Sequence, residues 1–245
     1  MSWFQLDPDS VTARVRASGQ PFKVPCLGTS LWRGIVGFTA LSIAGFLPWA
    51  IFGRWFYRNV GEAGLYILCA VVFIGLSGPL MHRLIIGPGS LSRFWRLFGV
   101  TFVAYAVLWI VGWMTLRGHP GSLAGLLAGT AAMGWMLARA FNAPDATLKV
   151  IAVLFVLNSL GYFIGGWVEG GVTGIKELML FGTPVPKITH MRMAKLLWGV
   201  CYGIGFGAGL GWAFHLCQSR TRAALESNAR VAPQPVQSAR SRSSP

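Results

Sequence analysis

The residues of this chain that could do chemistry are few, and the most conspicuous is an amide inside an apolar segment. Asn158 is the one strongly polar side chain in the middle of such a segment, where Ser159 follows it. A buried amide in hydrocarbon needs a hydrogen-bond partner, so Asn158 predicts a bond to a neighbouring helix worth about 1 kcal/mol. A contact with a bound substrate is the alternative interpretation.

Acidic residues are rare, which makes their positions informative. Glu62 and Glu169 lie at the ends of apolar segments that should face the same side of a membrane, and His190 follows on that side. The two carboxylates predict an outer polar cluster with nearby basic residues, and His190 is a further candidate for a polar contact. Such groups are mostly interfacial anchors or ion pairs, and general acid or base chemistry by Glu169 or His190 is the alternative.

The histidines and cysteines do not follow the spacing of a metal or haem site. Cys201, His215 and Cys217 lack the paired spacing of zinc ligands. Haem ligands lie inside the spans, and of the four histidines only His215, next to the last apolar segment, could do so. The glycines of 203–208 match a relaxed dinucleotide fingerprint, but they lie inside an apolar helix instead of after a strand. We expect no metal and no cofactor.

The composition places the chain among membrane proteins. Hydrophobic residues make up 54% and charged residues 11% of the sequence, and the mean hydropathy is +0.57, whereas about a quarter of a soluble domain is charged. The net charge of +14 could indicate nucleic acid, but the basic residues lie in the gaps between apolar segments. We therefore expect membrane lipid, and no nucleic acid, as a partner.

Six uncharged segments approach the length of about 20 residues that a helix needs to span a bilayer. They are 34–53, 63–81, 97–116, 121–138, 150–168 and 196–214. The sequence therefore predicts an all-α integral membrane protein, a bundle of about six transmembrane helices with a glycine-rich sixth helix. The fourth segment is the shortest and least hydrophobic of the six.

The basic residues predict the orientation of these helices. With the N-terminus in the cytoplasm, 14 of the 21 Lys and Arg residues fall on the inner side, as the positive-inside rule requires. This predicts an inner-membrane protein with both termini in the cytoplasm. The domains are then a cytoplasmic N-terminal segment (1–30), the six-helix domain (31–218) and a disordered basic cytoplasmic tail (219–245), because the tail has few aliphatic residues.

Small residues at four-residue spacing predict where helices pack closely. They occur on the fourth, fifth and sixth helices, at Gly121, Gly125, Gly129, Gly161, Gly165, Gly199, Gly203, Gly207 and Gly211. Further glycines on another face of the sixth helix predict that this helix lies between two neighbours. The third helix carries bulky aromatic residues instead, including Phe98, Phe102 and Tyr105, and we expect it to face lipid or an outer groove.

The longest connection, 169–195, is not uniformly polar. Its centre contains four apolar residues, 178–181, followed by Pro184 and Pro186. A short interfacial or re-entrant segment is one interpretation, and a plain loop that caps the bundle is the other.

Three functional classes remain compatible with the sequence. Because packing surfaces are prominent and chemistry is not, the leading hypothesis is a non-catalytic accessory or assembly component with a membrane-protein partner or a homo-oligomeric state. The alternative is a transporter or channel for a small neutral or lipid-like solute. A membrane enzyme is the third class.

Overall fold

The structure is a computed structural model, and it describes residues 4–19 and 23–231, with the side chains of 229–231 left out. It is an all-α membrane protein in which six helices are long and apolar enough to cross a bilayer. The helices are α1 (Pro8–Ala17), α2 (Leu27–Asn59), α3 (Glu62–Met81), α4 (Ser90–Leu116), α5 (Gly118–Ala140), α6 (Thr147–Gly174), α7 (Lys187–Cys217) and α8 (Ser219–Val231). Short 3-10 turns occupy His82–Leu84 and Pro144–Ala146.

The spanning helices α2 to α7 match the six predicted segments, and several are longer. Helix α2 has 33 residues. The predicted segment stopped at the flanking charged residues, whereas the helix continues through them. The helix ends just before Gly61, whose φ of +91° belongs to the left-handed region that favours glycine.

The six helices form a closed ring. Each helix from α2 to α7 packs against the next one in sequence, and α7 also packs against α2. Because six spans is an even number, α1 and α8 lie at the same end of the bundle, where they contact each other. We call this the α1/α8 end and the opposite one the hairpin end.

Helix α7 lies between α2 and α6 with glycines at both contacts. A Cβ atom added at Gly207 would lie 2.5 Å from the Gly34 carbonyl oxygen, and one at Gly203 would lie 2.6 Å from Thr39 Cα. On the α6 side, a Cβ at Gly161 would lie 2.9 Å from Gly205 Cα. Backbone therefore meets backbone on two faces of α7.

The other glycines singled out in the sequence also meet neighbouring helices. On α5, a Cβ at Gly125 would lie 2.6 Å from the Trp109 carbonyl oxygen of α4, and Gly121 and Gly129 face the same helix. Contacts elsewhere join Gly165 to Trp198, Gly199 to Phe46 and Gly211 to Ser30. That these contacts determine the stability of the bundle stays a prediction.

The interior of the ring is filled by aromatic side chains, many of them from α4. Phe98, Phe102 and Tyr105 are buried, so the expectation that this face of α4 meets lipid is wrong. The physical reason is that lipid is as apolar as a Phe side chain, so hydrophobicity does not decide which face turns inward. Phe98 and Phe102 stack at 5.1 Å and fill the space inside the ring. The alternative of a groove fits the other end of the helix, where Tyr105, Trp109 and Trp113 line an open cavity.

Polar contacts to the backbone close the α1/α8 end. The Arg93 side chain, 1% exposed, donates to the carbonyl oxygens of Pro88 (2.6 Å), Gly89 (3.1 Å) and Gln5 (3.4 Å). Gln218 accepts from the Ile86 N–H at 2.8 Å. The segment before α1 and the connection between α3 and α4 are thereby fixed to the bundle.

The predicted start of a disordered tail at Ser219 is corrected by α8. Helix α8 continues from α7 through Val231 and buries Leu225 in a small cluster with Val11 and Val15 of α1. An Arg16–Asn228 hydrogen bond of 2.6 Å joins the two helices. A polar sequence therefore forms a helix here because α1 provides a surface for its few apolar residues. Residues 232–245 lie outside the described part of the chain.

The longest connection contains a β-hairpin. Strands Met179–Leu180 and Thr183–Pro184 pair in antiparallel fashion, and the turn places Phe181 and Gly182 at φ values of +49° and +82°. Phe181 is 99% exposed at its tip. Whether this apolar tip lies in the membrane interface stays a prediction.

Candidate functional site

A cavity of about 450 Å³ opens between α2, α3, α4, α6 and α7, toward the hairpin end. Eleven of its 18 lining residues are aromatic. They include every tyrosine of the chain, which are Tyr57, Tyr66, Tyr105, Tyr162 and Tyr202. The volume lies within the range of small-molecule sites. Tyrosine provides an apolar ring and a hydrogen-bonding hydroxyl together, so the wall suits an amphipathic molecule.

Close aromatic packing forms the floor of the cavity. Phe38 and Phe206 lie 4.8 Å apart between ring centroids, and Phe98 packs against Phe38 at 6.5 Å. All three lie closer to the α1/α8 end than Tyr105 and Tyr202, which line the cavity. The cavity is thus a pocket that ends inside the bundle.

A chain of hydrogen bonds fixes the tyrosines at the floor. The Asn158 amide nitrogen donates to the Tyr105 hydroxyl at 2.9 Å, and the hydroxyls of Tyr105 and Tyr202 lie 3.2 Å apart. Asn158 is completely buried and does not line the cavity. The helix-to-helix bond expected from the sequence is present, whereas the alternative substrate contact would have to act through Tyr105.

The mouth of the cavity carries one acidic side chain. Glu62 is the first residue of α3, where the helix dipole stabilises a carboxylate, and it accepts a 2.7 Å hydrogen bond from the Tyr66 hydroxyl. Glu62 is the only charged residue among those that line the cavity.

Two cations lie against tryptophans of the same wall without lining the cavity. Lys195 Nζ is 4.4 Å from the ring centroid of Trp49, and the Arg117 guanidinium is 5.0 Å from that of Trp113. Both are cation–π distances. The wall therefore has ring faces on which positive charge is already stabilised.

The candidate polar residues Glu62, Glu169 and His190 lie in different surroundings. His190 is buried, and its Nε2 donates to the Val172 carbonyl oxygen at 2.5 Å, which joins α7 to α6. Glu169 lies outside the cavity lining. In the described part of the chain the one salt bridge joins Arg220 to Asp145 at the α1/α8 end. His190 thus serves a contact between helices, and a polar cluster that joins Glu62 with Glu169 stays a prediction.

Over the described ranges, 4–19 and 23–231, no three His, Cys, Asp or Glu side chains are grouped to hold a metal ion. Comparison with known protein families, curated proteins and solved structures found no match.

The tyrosines are the site residues that sequence reasoning missed. Tyr66, Tyr105, Tyr162 and Tyr202 lie well inside the spanning helices, and a phenol buried in lipid needs a polar partner or a cavity. Tyrosines on four different spanning helices were therefore the feature of the sequence that could have indicated a cavity. Their convergence depends on how the helices are rotated, which no single segment reveals.

Proposed function

We propose that the protein binds a lipid-like solute in the tyrosine-lined cavity and acts as a transporter or carrier for it. The observation that carries this proposal is the cavity itself, which is aromatic, about 450 Å³ in volume and open on one side. A mainly apolar wall with a few fixed hydroxyls is the usual composition of a small-molecule site.

The aromatic floor favours a carrier over an open channel. Phe38, Phe98 and Phe206 are buried and packed on each other. A solute would need these rings to move before it passed toward the α1/α8 end. With such a floor, the solute would bind first and a conformational change would follow.

The experiment is to identify small molecules that co-purify with the protein after gentle extraction and to compare two variants by mass spectrometry. Ala106→Phe fills the cavity from α4, whereas Val107→Phe adds a ring to the neighbouring, exposed position of the same helix. We expect the bound solute to be lost from Ala106→Phe and kept by Val107→Phe. Equal recovery from both variants contradicts the proposal.

We also propose an inner-membrane location with both termini in the cytoplasm, supported by the excess of basic residues at that side. Cys26 offers the test because it is exposed beside α2 at the α1/α8 end. A hydrogen bond from the Thr29 side chain lowers the pKa of the Cys26 thiol below its usual 9.0, which favours the reactive thiolate. A membrane-impermeant maleimide should label Cys26 only after the membrane is opened. Labelling of intact spheroplasts contradicts this orientation.

An accessory or assembly role is the second candidate, and the exposed hairpin tip favours it. Phe181, Met179 and Leu180 form an apolar surface that a membrane-protein partner or a second copy could cover. Native mass spectrometry of the gently extracted protein tests this role. A stoichiometric foreign subunit that is lost from Phe181→Ser supports it, and a lone chain contradicts it.

A further inference from the structure

We infer that the solute is a lipophilic cation, a bulky apolar molecule with an ammonium-like charge. This inference rests on the proposed function, since it names the chemistry of the molecule that the cavity takes. It follows from the combination of ring faces and one carboxylate in the cavity wall.

The first argument is the density of electron-rich rings. Four tryptophans and five tyrosines line the cavity, and each presents a negative face that attracts a cation within about 6 Å of its centroid. Several such rings around one space stabilise a positive charge that is too bulky to be hydrated well. A neutral lipid would gain apolar contact from these rings but no attraction to their negative faces.

The second argument is the charge of the lining. Glu62 supplies the only formal charge among the lining residues, and its carboxylate lies at the start of α3 with Tyr66 as hydrogen-bond donor. No cation forms a salt bridge with Glu62 within the described segments. The carboxylate is therefore available to a charged group that enters the cavity.

Lys195 and Arg117 are positively charged and would repel a cationic solute. The inference therefore also predicts that removal of one of these charges changes binding in the direction opposite to removal of the Glu62 charge. Each lies on the face of a wall tryptophan. Trp49 lies between Lys195 and the cavity wall, so the Lys195 charge acts on a bound ion at short range. Removal of this charge should strengthen the binding of a cation and weaken the binding of an anion. Glu62 should have the opposite effect on both.

The experiment measures binding of tetraphenylphosphonium and tetraphenylborate, two ions of nearly the same shape and opposite charge, to the purified full-length protein by equilibrium dialysis. Binding to Ala106→Phe is subtracted as the background of detergent and surface. We expect specific binding of the phosphonium, weakened about tenfold by Glu62→Gln and strengthened by Lys195→Gln. Gln can still accept the Tyr66 hydrogen bond, so Glu62→Gln is expected to fold.

The outcomes separate the two proposals. Equal specific binding of both ions, or a preference for the borate, overturns the cation and leaves the cavity as a binding site. Binding of the phosphonium that is the same in Glu62→Gln as in the original chain also overturns it. If neither ion distinguishes the original chain from Ala106→Phe, the cationic inference fails, and the proposed binding site is decided separately by the co-purified solute in Ala106→Phe and Val107→Phe.

Discussion

The side-chain amide of Asn158 on α6 donates a 2.9 Å hydrogen bond to the hydroxyl of Tyr105 on α4. This bond crosses the interior of the ring, because α4 and α6 are both neighbours of α5 and not of each other. The bond therefore fixes the position of Tyr105, which lines the cavity. Asn158 can thus affect the shape of the cavity although it does not line it.

Asn158→Leu should lower the free energy of unfolding by about 1 kcal/mol, because the substitution removes an interhelical hydrogen bond at nearly constant volume. Thermal unfolding in detergent measures this loss. In a double-mutant cycle with Tyr105→Phe, the two losses should not add, since both variants remove the same bond. Loss of solute binding at an unchanged melting temperature would instead indicate that Asn158 contacts the solute.

Gly203→Ala should destabilise the bundle even though alanine is the better helix former. The added Cβ would lie 2.6 Å from Thr39 Cα, so α2 and α7 must separate, and overpacking of this kind costs about 1–3 kcal/mol. Gly203→Leu should cost more. The matched control is Gly166→Ala on α6, where a Cβ has no neighbour within 4 Å. Unchanged thermal stability of Gly203→Leu would show that these glycines do not determine helix packing.

Arg93→Met should release the segment before α1 from the bundle. The guanidinium bonds to Pro88, Gly89 and Gln5 would be lost together, and hydrogen bonds to a charged group contribute about 1.5–3 kcal/mol each when the partners stay buried. Faster proteolysis and hydrogen exchange of residues 4–19 should follow. Lys149→Met, at an exposed position of α6 near the same end of the bundle, is the control and should leave that exchange unchanged.

The stability of α1 should depend on pH through Asp7. Partial burial alone would raise the pKa of this carboxyl, but hydrogen bonds from Ser10 outweigh it and hold the pKa below its ordinary 3.8. A lowered pKa means that the carboxylate stabilises the helix start above about pH 4, and that this contribution is lost as the pH falls through the lowered value.

Hydrogen-exchange protection factors for α1 test this dependence. Asp7→Ala should lower them at neutral pH by an amount equivalent to about 1 kcal/mol, the usual value of a helix N-cap. Asp7→Asn keeps a side chain that can cap the helix but cannot titrate. In this variant the protection of α1 should therefore not decrease when the pH is lowered below 4. An equal fall in Asp7→Asn would assign the effect to another group.

The spans were predictable from sequence, whereas the arrangement inside them was only partly so. Length and hydropathy define all six helices, since a lipid environment leaves the backbone few alternatives. The glycines also indicated that α7 has two close neighbours. The inward rotation of α4 was not predictable, because Phe98 and Phe102 are as compatible with lipid as with a protein interior.

The candidate site illustrates the same limit. Asn158 was identified from its polarity, and its bond to another helix followed from the chemistry of a buried amide. The bond from His190 to the Val172 carbonyl oxygen was not predictable, because a shared depth in the membrane does not reveal which helix faces meet. Helix α8 was missed since its stability comes from contact with α1, which a window of local composition does not include.

The concentration of all five tyrosines at one cavity makes the molecule its own reporter. Growth with 3-fluorotyrosine would place fluorine nuclei on that wall and at no other position in the chain. Each resonance would then describe occupancy, ring rotation or water entry at the same place, from the first bonded hydroxyl at the floor to Tyr57 nearer the surface. A single fluorinated amino acid would therefore follow this one cavity without background signal from the rest of the chain.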